Sequence, residues 1–415
     1  MNVRILFVLL LTVAWPVSGW SGVGGGEDAR IGIRDVWRAY DAFNEVYLDR
    51  AKYIYKSDSA VPAAVDRFNG AAAIWCQPIY WDMAMNAAAL AGRCGERRRA
   101  REYRELCRRI FEGERAHYAG FDFEDNNENT GWFIYDDIMW WTISLARAYA
   151  AFGDEEYLRL SEQSFSRVWY GSERVGDTGS YDETDGGMFW RWYPISNPEP
   201  NRPGDGKMAC INFPAAVAAL TLAGCVPEGR TEPTGERPVT HTRERYFEMG
   251  REIYEWGVEN LFDAATGRVA DSRHGDGEPD WKSHVYNQGT FIGASVLLYR
   301  ATGEGRYLTN ALLAADYVMR DMSKDGILPF ESGIEQGIYT AIYAQYMAML
   351  VYDCGQRQYL PFLRHNISAG WANRDSARDI CGGEYARRVE RGQTVDSYSA
   401  SGIPALMLLF ATDRR

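Results

Sequence analysis

Along the chain, stretches that are apolar nearly all round alternate with stretches that are apolar on one stripe only. ISLARAYAAF (143–152), FIGASVLLYRAT (291–302) and TAIYAQYMAMLVYD (340–353) are of the first kind. RYLTNALLAADYVMRDM (306–322) is of the second: Leu308, Leu312, Ala315 and Val318 recur at the spacing of an amphipathic helix. A helix apolar on all sides belongs inside a fold, and an amphipathic one belongs outside. Between the two kinds stands the pattern G-x-x-x-Y-L, at 153–158, 303–308 and 355–360. The glycine ends the first helix and the Tyr-Leu opens the second. The starts differ by 150 residues (303 − 153) and 52 residues (355 − 303), so a unit of roughly 50 residues fits both gaps, a length typical of repeated helix pairs. Gly95 to Tyr103 reads as a degenerate earlier copy.

A chain of this length holds six to eight such hairpins. Tandem inner–outer hairpins close into an all-α toroid; an open solenoid is the alternative, and it would have ends to cap. Gly/Pro/Asp-rich loops at 171–207 and 226–240 would collect at an end of the toroid and build a cleft there. With no Pro- or Ser-rich linker, residues 20–415 are expected to be a single domain. Residues 1–19 read as a signal peptide, with Arg4, an apolar run from Ile5 to Ala14, and small residues at Val17-Ser18-Gly19. An N-terminal membrane anchor is the competing reading. The apolar run is too short to span a bilayer, so a secreted, periplasmic or cell-surface protein is expected, without membrane insertion after signal removal.

A net charge of −12 and a pI near 5.1 argue against nucleic acid and anionic membrane surfaces as partners, and favour a neutral substrate. Seven cysteines lack any CxxC pair and five histidines lack HxxxH spacing, so neither a zinc site nor a cofactor is expected. Aromatic residues make up 14 %, clustered at Trp75, Tyr80-Trp81, Trp140-Trp141 and Phe189-Trp190-Arg191-Trp192. Flat aromatic faces suit the apolar C–H faces of sugar rings, although core packing claims the same residues.

One stretch puts two carboxylates among aromatics: Gly131 to Trp141, GWFIYDDIMWW. Asp136 and Asp137 open the helix that continues as ISLARAYAAF, where the positive end of the macrodipole favours them by about 0.3–1 kcal/mol. Neighbouring first-turn residues project about 100° apart, so the two carboxyls can diverge around a bound bond. Paired carboxylates in unlike environments are the equipment of glycoside hydrolysis; a double N-cap without chemistry is the bland reading. Asp125-x-Asn127-x-Asn129 resembles the front of a calcium loop, but the glycine it needs comes one position late, at Gly131.

Together these motifs resemble glycoside hydrolase family 76, the α-1,6-mannanases. Tyr135-Asp136-Asp137-x-x-Trp140 matches that family's Y-D-D-x-x-W, and Tyr286 to Ala294 reads like its Y-N-Q-G-x-x-I-G-A. Gly186-Gly187-x-x-Trp190, then Lys207 to Pro214 with Asn212, are similar to a further segment, as are Trp75-x-Gln77 with Asp82, and Trp371-x-Asn373-Arg374. Asn86 stands where the family commonly carries a second aspartate. The resemblance covers roughly residues 35–411 and implies an (α/α)₆ toroid. It further implies a retaining, endo-acting hydrolase of α-1,6-mannosidic bonds in mannan, with Asp136 as nucleophile and Asp137 as general acid/base. Asp82 and Asp271 look like substrate-binding carboxylates, Asp82 in the cleft floor. Asn287 and Gln288 offer amides for sugar hydroxyls, and Gln77, Trp81, Tyr135, Trp190 and Asn212 complete the expected substrate site. A monomer is expected. A non-catalytic glycan-binding protein, a toroid glycosidase of other linkage, and a polysaccharide lyase are the alternatives; a lyase of acidic polymers would need a basic cleft.

Overall fold

The computed structural model describes residues 31–412 apart from 126, 128–131, 133, 191–200, 203, 232–239 and 334. The signal segment 1–19, Arg191 and Trp192, most of the 226–240 loop, and Asn129 and Gly131 of the calcium-like motif therefore lie outside the described residues.

Twelve α-helices run through the described residues, and the odd- and even-numbered ones do different jobs. The even ones are α2 (Gln77–Arg93), α4 (Tyr135–Phe152), α6 (Ala209–Cys225), α8 (Val285–Thr302), α10 (Tyr339–Ala348) and α12 (Ser397–Phe410). Each packs on the next, and α12 returns to α2, so the ring is closed. The odd ones are α1 (Ile33–Tyr47), α3 (Arg97–His117), α5 (Glu155–Tyr170), α7 (Arg243–Leu261), α9 (Gly305–Tyr317) and α11 (Leu360–Ala372). These lie on the outside of the ring, packed against their inner neighbours. The fold is an (α/α)₆ toroid.

The division follows from side chains. Every residue of α12 is buried, whereas α3 buries only Tyr103, Cys107, Ile110, Phe111 and Glu114, a single stripe. The repeated glycine works as the periodicity demands: Gly153 and Gly303 end α4 and α8 in the left-handed region, with φ of 74° at each, where a side chain would be strained. Inner helices come close where residues are small. A Cβ on Gly289 would stand 2.9 Å from the Tyr343 Cα of α10, and one on Gly293 would meet the Tyr346 ring at 2.2 Å. The seven cysteines are all free, with Cys76, Cys107, Cys210 and Cys381 buried.

All six inner helices begin at the same end of the ring. At that end the residues at or just before their first turns face one cavity: Trp75 ahead of α2, Asp136 and Asp137 of α4, Cys210 of α6, Tyr286 of α8, Tyr339 of α10 and Tyr398 of α12. Loops add Arg67, Phe68, Asp271 and Glu335, and a two-strand antiparallel ribbon, Gly206–Met208 with Ser272–His274, lies alongside.

Candidate active site

The cavity has a volume of about 440 Å³ and is open to solvent. Its wall is largely aromatic. Tyr286 and Tyr339 stack at 3.9 Å, and Trp75 lies 6.3 Å from Trp140 and 6.4 Å from Tyr339, centroid to centroid. Phe68, among the most exposed large apolar side chains, stands among its lining residues. An apolar cradle of this kind, with a few polar groups converging on it, suits a hydroxyl-rich ring ligand.

The two carboxylates of α4 sit in this cavity in unlike settings. Asp136 is half-buried, and its carboxylate is served by donors: the Trp190 indole at 3.0 Å, the Cys210 thiol, and the backbone amides of Asp136 and Asp137 at the helix start. Burial pushes its pKa up to about 6, and those donors hold it from rising further. Cys210 in turn accepts from the Tyr286 hydroxyl, so a short chain of donors ends on Asp136. Asp137 is 8 % exposed, and among the described residues no donor reaches its carboxyl. Burial drives its pKa well above the carboxylate range, Asp136 and Glu335 push the same way, and Arg67 opposes. The surroundings thus favour the anion on Asp136 and the proton on Asp137.

The start of α4 is anchored from behind. The Tyr135 hydroxyl donates to Asp177, which also takes the Arg167 guanidinium at 2.8 Å and the Ser172 amide at 2.8 Å. Arg167 and Asp177 are both buried, so this pair fixes the turn that carries the aspartates.

Of the residues expected to act on or hold the substrate, Asp136, Asp137, Trp190 and Asp271 line the cavity, as do Trp75 and Trp140 of the aromatic clusters and Tyr286 of the second motif. Asn287 reaches it indirectly, donating to Asp271 at 3.4 Å. The others do not come to the cleft. Asp82, expected in its floor, lines a separate, much smaller cavity on the far side of Trp140, where it pairs with Arg147. Its pKa still rises, to about 6, because burial outweighs the pairing. Trp81 is fully buried and donates to the Cys107 carbonyl. Gln77 bridges Tyr55 and Ala72, Asn212 pins Met188 and Met208, and Gln288 donates to Gly267. Tyr135 serves Asp177 instead of a ligand. Gly186-Gly187 accommodates Trp256, whose ring would meet a Cβ on Gly187 at 2.5 Å, and the Arg374 guanidinium stacks on Trp371 at 3.8 Å. These motifs build the frame around the cleft.

Other lining residues escaped the sequence reading: Arg67, Phe68, Cys210, His284, Glu335, Tyr339 and Tyr398. Glu335 accepts the Trp75 indole at 2.7 Å across 260 residues of chain, a pairing no local spacing signals. Among the described residues, no group of three or more His, Cys, Asp or Glu side chains could hold a metal ion.

The chain matches the glycosyl hydrolase family 76 profile over residues 40–411. No curated protein matches it in sequence. Among solved structures it is similar to an α-1,6-mannanase from Salegentibacter, at 22 % identity and a TM-score of 0.70, covering 91 % of this chain and 98 % of that one. It is also similar to an inactive variant of that mannanase, two aspartates changed to asparagine, in complex with α-1,6-mannotriose (20 % identity, TM-score 0.71, covering 91 % and 98 %). A family 76 glycoside hydrolase (mannosidase) from Bacteroides thetaiotaomicron matches at 16 % identity and a TM-score of 0.69, covering 91 % and 97 %. At these identities the likeness is one of fold.

Proposed function

The chain belongs to glycosyl hydrolase family 76, and from that premise we propose that it is an exported, retaining glycoside hydrolase that cleaves α-1,6-mannosidic bonds within mannan. The carrying observation is the unlike setting of the two adjacent carboxyls. Asp136, held ionised by four donors, attacks the anomeric carbon while Asp137 gives its proton to the departing oxygen. That step forms a glycosyl–Asp136 ester and breaks the sugar–sugar bond. Asp137, now ionised, takes a proton from water, whose oxygen displaces Asp136 from the anomeric carbon and restores both groups. Two inversions give retention.

Substrate binding is assigned to the aromatic wall and to Asp271, with Trp190 shared between binding and support of Asp136. On the same reading residues 1–19 are a signal peptide, residues 20–415 a single catalytic domain, and the protein acts as a monomer. Among the described residues no helix is long and apolar enough to cross a membrane.

Incubation with α-1,6-mannan, beside an Asp136→Asn/Asp137→Asn variant, tests the reading. Sugar release by the parent protein alone is expected, with the α-anomer appearing first in the NMR spectrum. Equal release by both proteins removes the proposed site, and binding without release by either leaves a glycan-binding protein on the same toroid.

A further inference from the structure

The mouth of α8 carries a second group of ionisable side chains that the acid-pair chemistry does not use. His284 stands just before the first turn of α8, is 7 % exposed, and lines the cavity. Its Nδ1 meets one oxygen of Glu331, while the other oxygen accepts the Val285 backbone N–H at 2.8 Å. Glu331 thus caps α8 where the N-cap residue itself offers no side-chain bond, and it cannot leave the imidazole without uncapping the helix. An ionised carboxylate only accepts, so Nδ1 carries the hydrogen and Nε2 is the nitrogen left for the cleft.

Nε2 stands 3.7 Å from Asp271 Oδ1, beyond the range of a good direct hydrogen bond. Asp271 is steadied by Asn287, and the imidazole meets the Tyr339 ring edge-on at 5.6 Å and 74°. Two hydrogen-bonding atoms at this separation leave an apex at which one hydroxyl oxygen lies roughly 2.8 Å from each.

Building on the glycoside-hydrolase reading above, we propose that Glu331, His284 and Asp271 form a clamp for one hydroxyl of the sugar ring lying against Tyr286 and Tyr339. His284 and Asp271 touch the hydroxyl, and Glu331 is a positioning residue that acts through the imidazole. The hydroxyl gives its hydrogen to Asp271 and accepts one from Nε2 when the ring carries both. A ring lacking that hydroxyl, or presenting it on the other face, leaves the buried Nε2 and the half-buried Asp271 carboxylate without the partner between them, which is how such sites discriminate. The clamp therefore selects the sugar, while the α4 pair cuts the bond.

The test uses the full chain carrying Asp136→Asn and Asp137→Asn, so that binding is read without turnover. It is titrated calorimetrically with α-1,6-mannotriose, its monodeoxy analogues, and the matching α-1,6-glucose trisaccharide, with and without His284→Ala or Glu331→Gln. Mannotriose affinity is expected to fall about tenfold with either substitution. One monodeoxy analogue should lose as much against the parent and nothing further against His284→Ala, the signature of a direct partner. Glu331→Gln retains an oxygen for the Val285 amide but turns a donor toward Nδ1. Weaker binding at an unchanged melting temperature, with no further loss when it is added to His284→Ala, marks orientation and not folding.

Equal mannotriose affinity with and without His284→Ala overturns the clamp and leaves the mannanase reading standing. The glucose trisaccharide binding in place of mannotriose, with the same losses, keeps the clamp and overturns the mannan reading. Binding of none of these sugars overturns both.

Discussion

Residues 135–141 and 286–294 both carry the family resemblance, yet their side chains go to different places. From the first stretch the two carboxylates and Trp140 reach the open cavity, while Tyr135 and Trp141 are turned back to the frame. From the second only Tyr286 lines the cavity; Gly289 and Gly293 let α8 lie against α10, and Gln288 is turned to the Gly267 carbonyl. On the proposed reading the first motif is reactive, and it keeps buried carboxyls at some expense in stability. The other is architectural, and its letters are dictated by how close two helices must come. A motif match can thus report chemistry or packing, and only the surroundings of each side chain separate the two.

Substitutions should divide along the same line. The largest effect is expected at the α4 pair: Asp136→Asn or Asp137→Asn should each lower sugar release from α-1,6-mannan by at least about 10³-fold. The fold should not suffer. Burial raises the folded pKa of Asp137 above its unfolded value, so whatever stability the group contributes is present below the unfolded pKa and is lost as pH rises through the folded one. At pH 7 the acid weighs against the fold, and Asp137→Asn should melt at the same temperature or higher. A marked fall in melting temperature would place Asp137 on the architectural side.

Gly293→Val should behave in the opposite way. Its side chain would run into the Tyr346 ring, and overpacking of this kind destabilises by about 1–3 kcal/mol. Thermal melts should show the loss, while release per folded molecule stays within a few-fold of the parent.

A smaller effect should appear in the pH profile. Activity needs Asp136 ionised, so kcat/KM should fall as pH drops through about 6. Trp190→Phe removes a donor that favours the ionised form, so this acidic limb should move to higher pH. A limb that stays in place would mean another group sets it.

The smallest change is expected at Asp82. Its raised pKa means that burial already outweighs its pairing with Arg147, and it does not line the cleft. Asp82→Asn should leave KM for mannan within about twofold, since the group has no contact from which to alter ground-state binding. A larger shift in KM would bring Asp82 back to the substrate.

How far the sequence could be read follows from the range of the interactions involved. The helix hairpins, their inner and outer faces and the glycine stops are local matters of period 3.6 and backbone handedness, so they were legible. The α4 pair, Trp190 and Asp271 were also named from the sequence, and they line the cavity. The amides of Gln77, Asn212 and Gln288 were expected at the substrate and instead meet backbone groups, because a buried amide needs partners of either kind and the letters are the same in both cases. Glu331, Glu335 and His284 were invisible because their partners come from other repeats of the ring. Glu331 reaches His284 across 47 residues and Trp75 reaches Glu335 across 260. Cys210 carries no spacing signal; it is a buried core residue whose thiol also points at Asp136.

Six helix starts meet at the cleft, and each brings a partial positive charge carried by peptide groups. Because that charge belongs to the main chain, replacing side chains in the mouth loops cannot remove it. A ring built this way keeps a standing welcome for negative charge beneath whatever lining it is given. The lining can be rewritten for another ligand without rebuilding the ground on which an ionised carboxylate rests, which makes the toroid a natural chassis for grafting new selectivities.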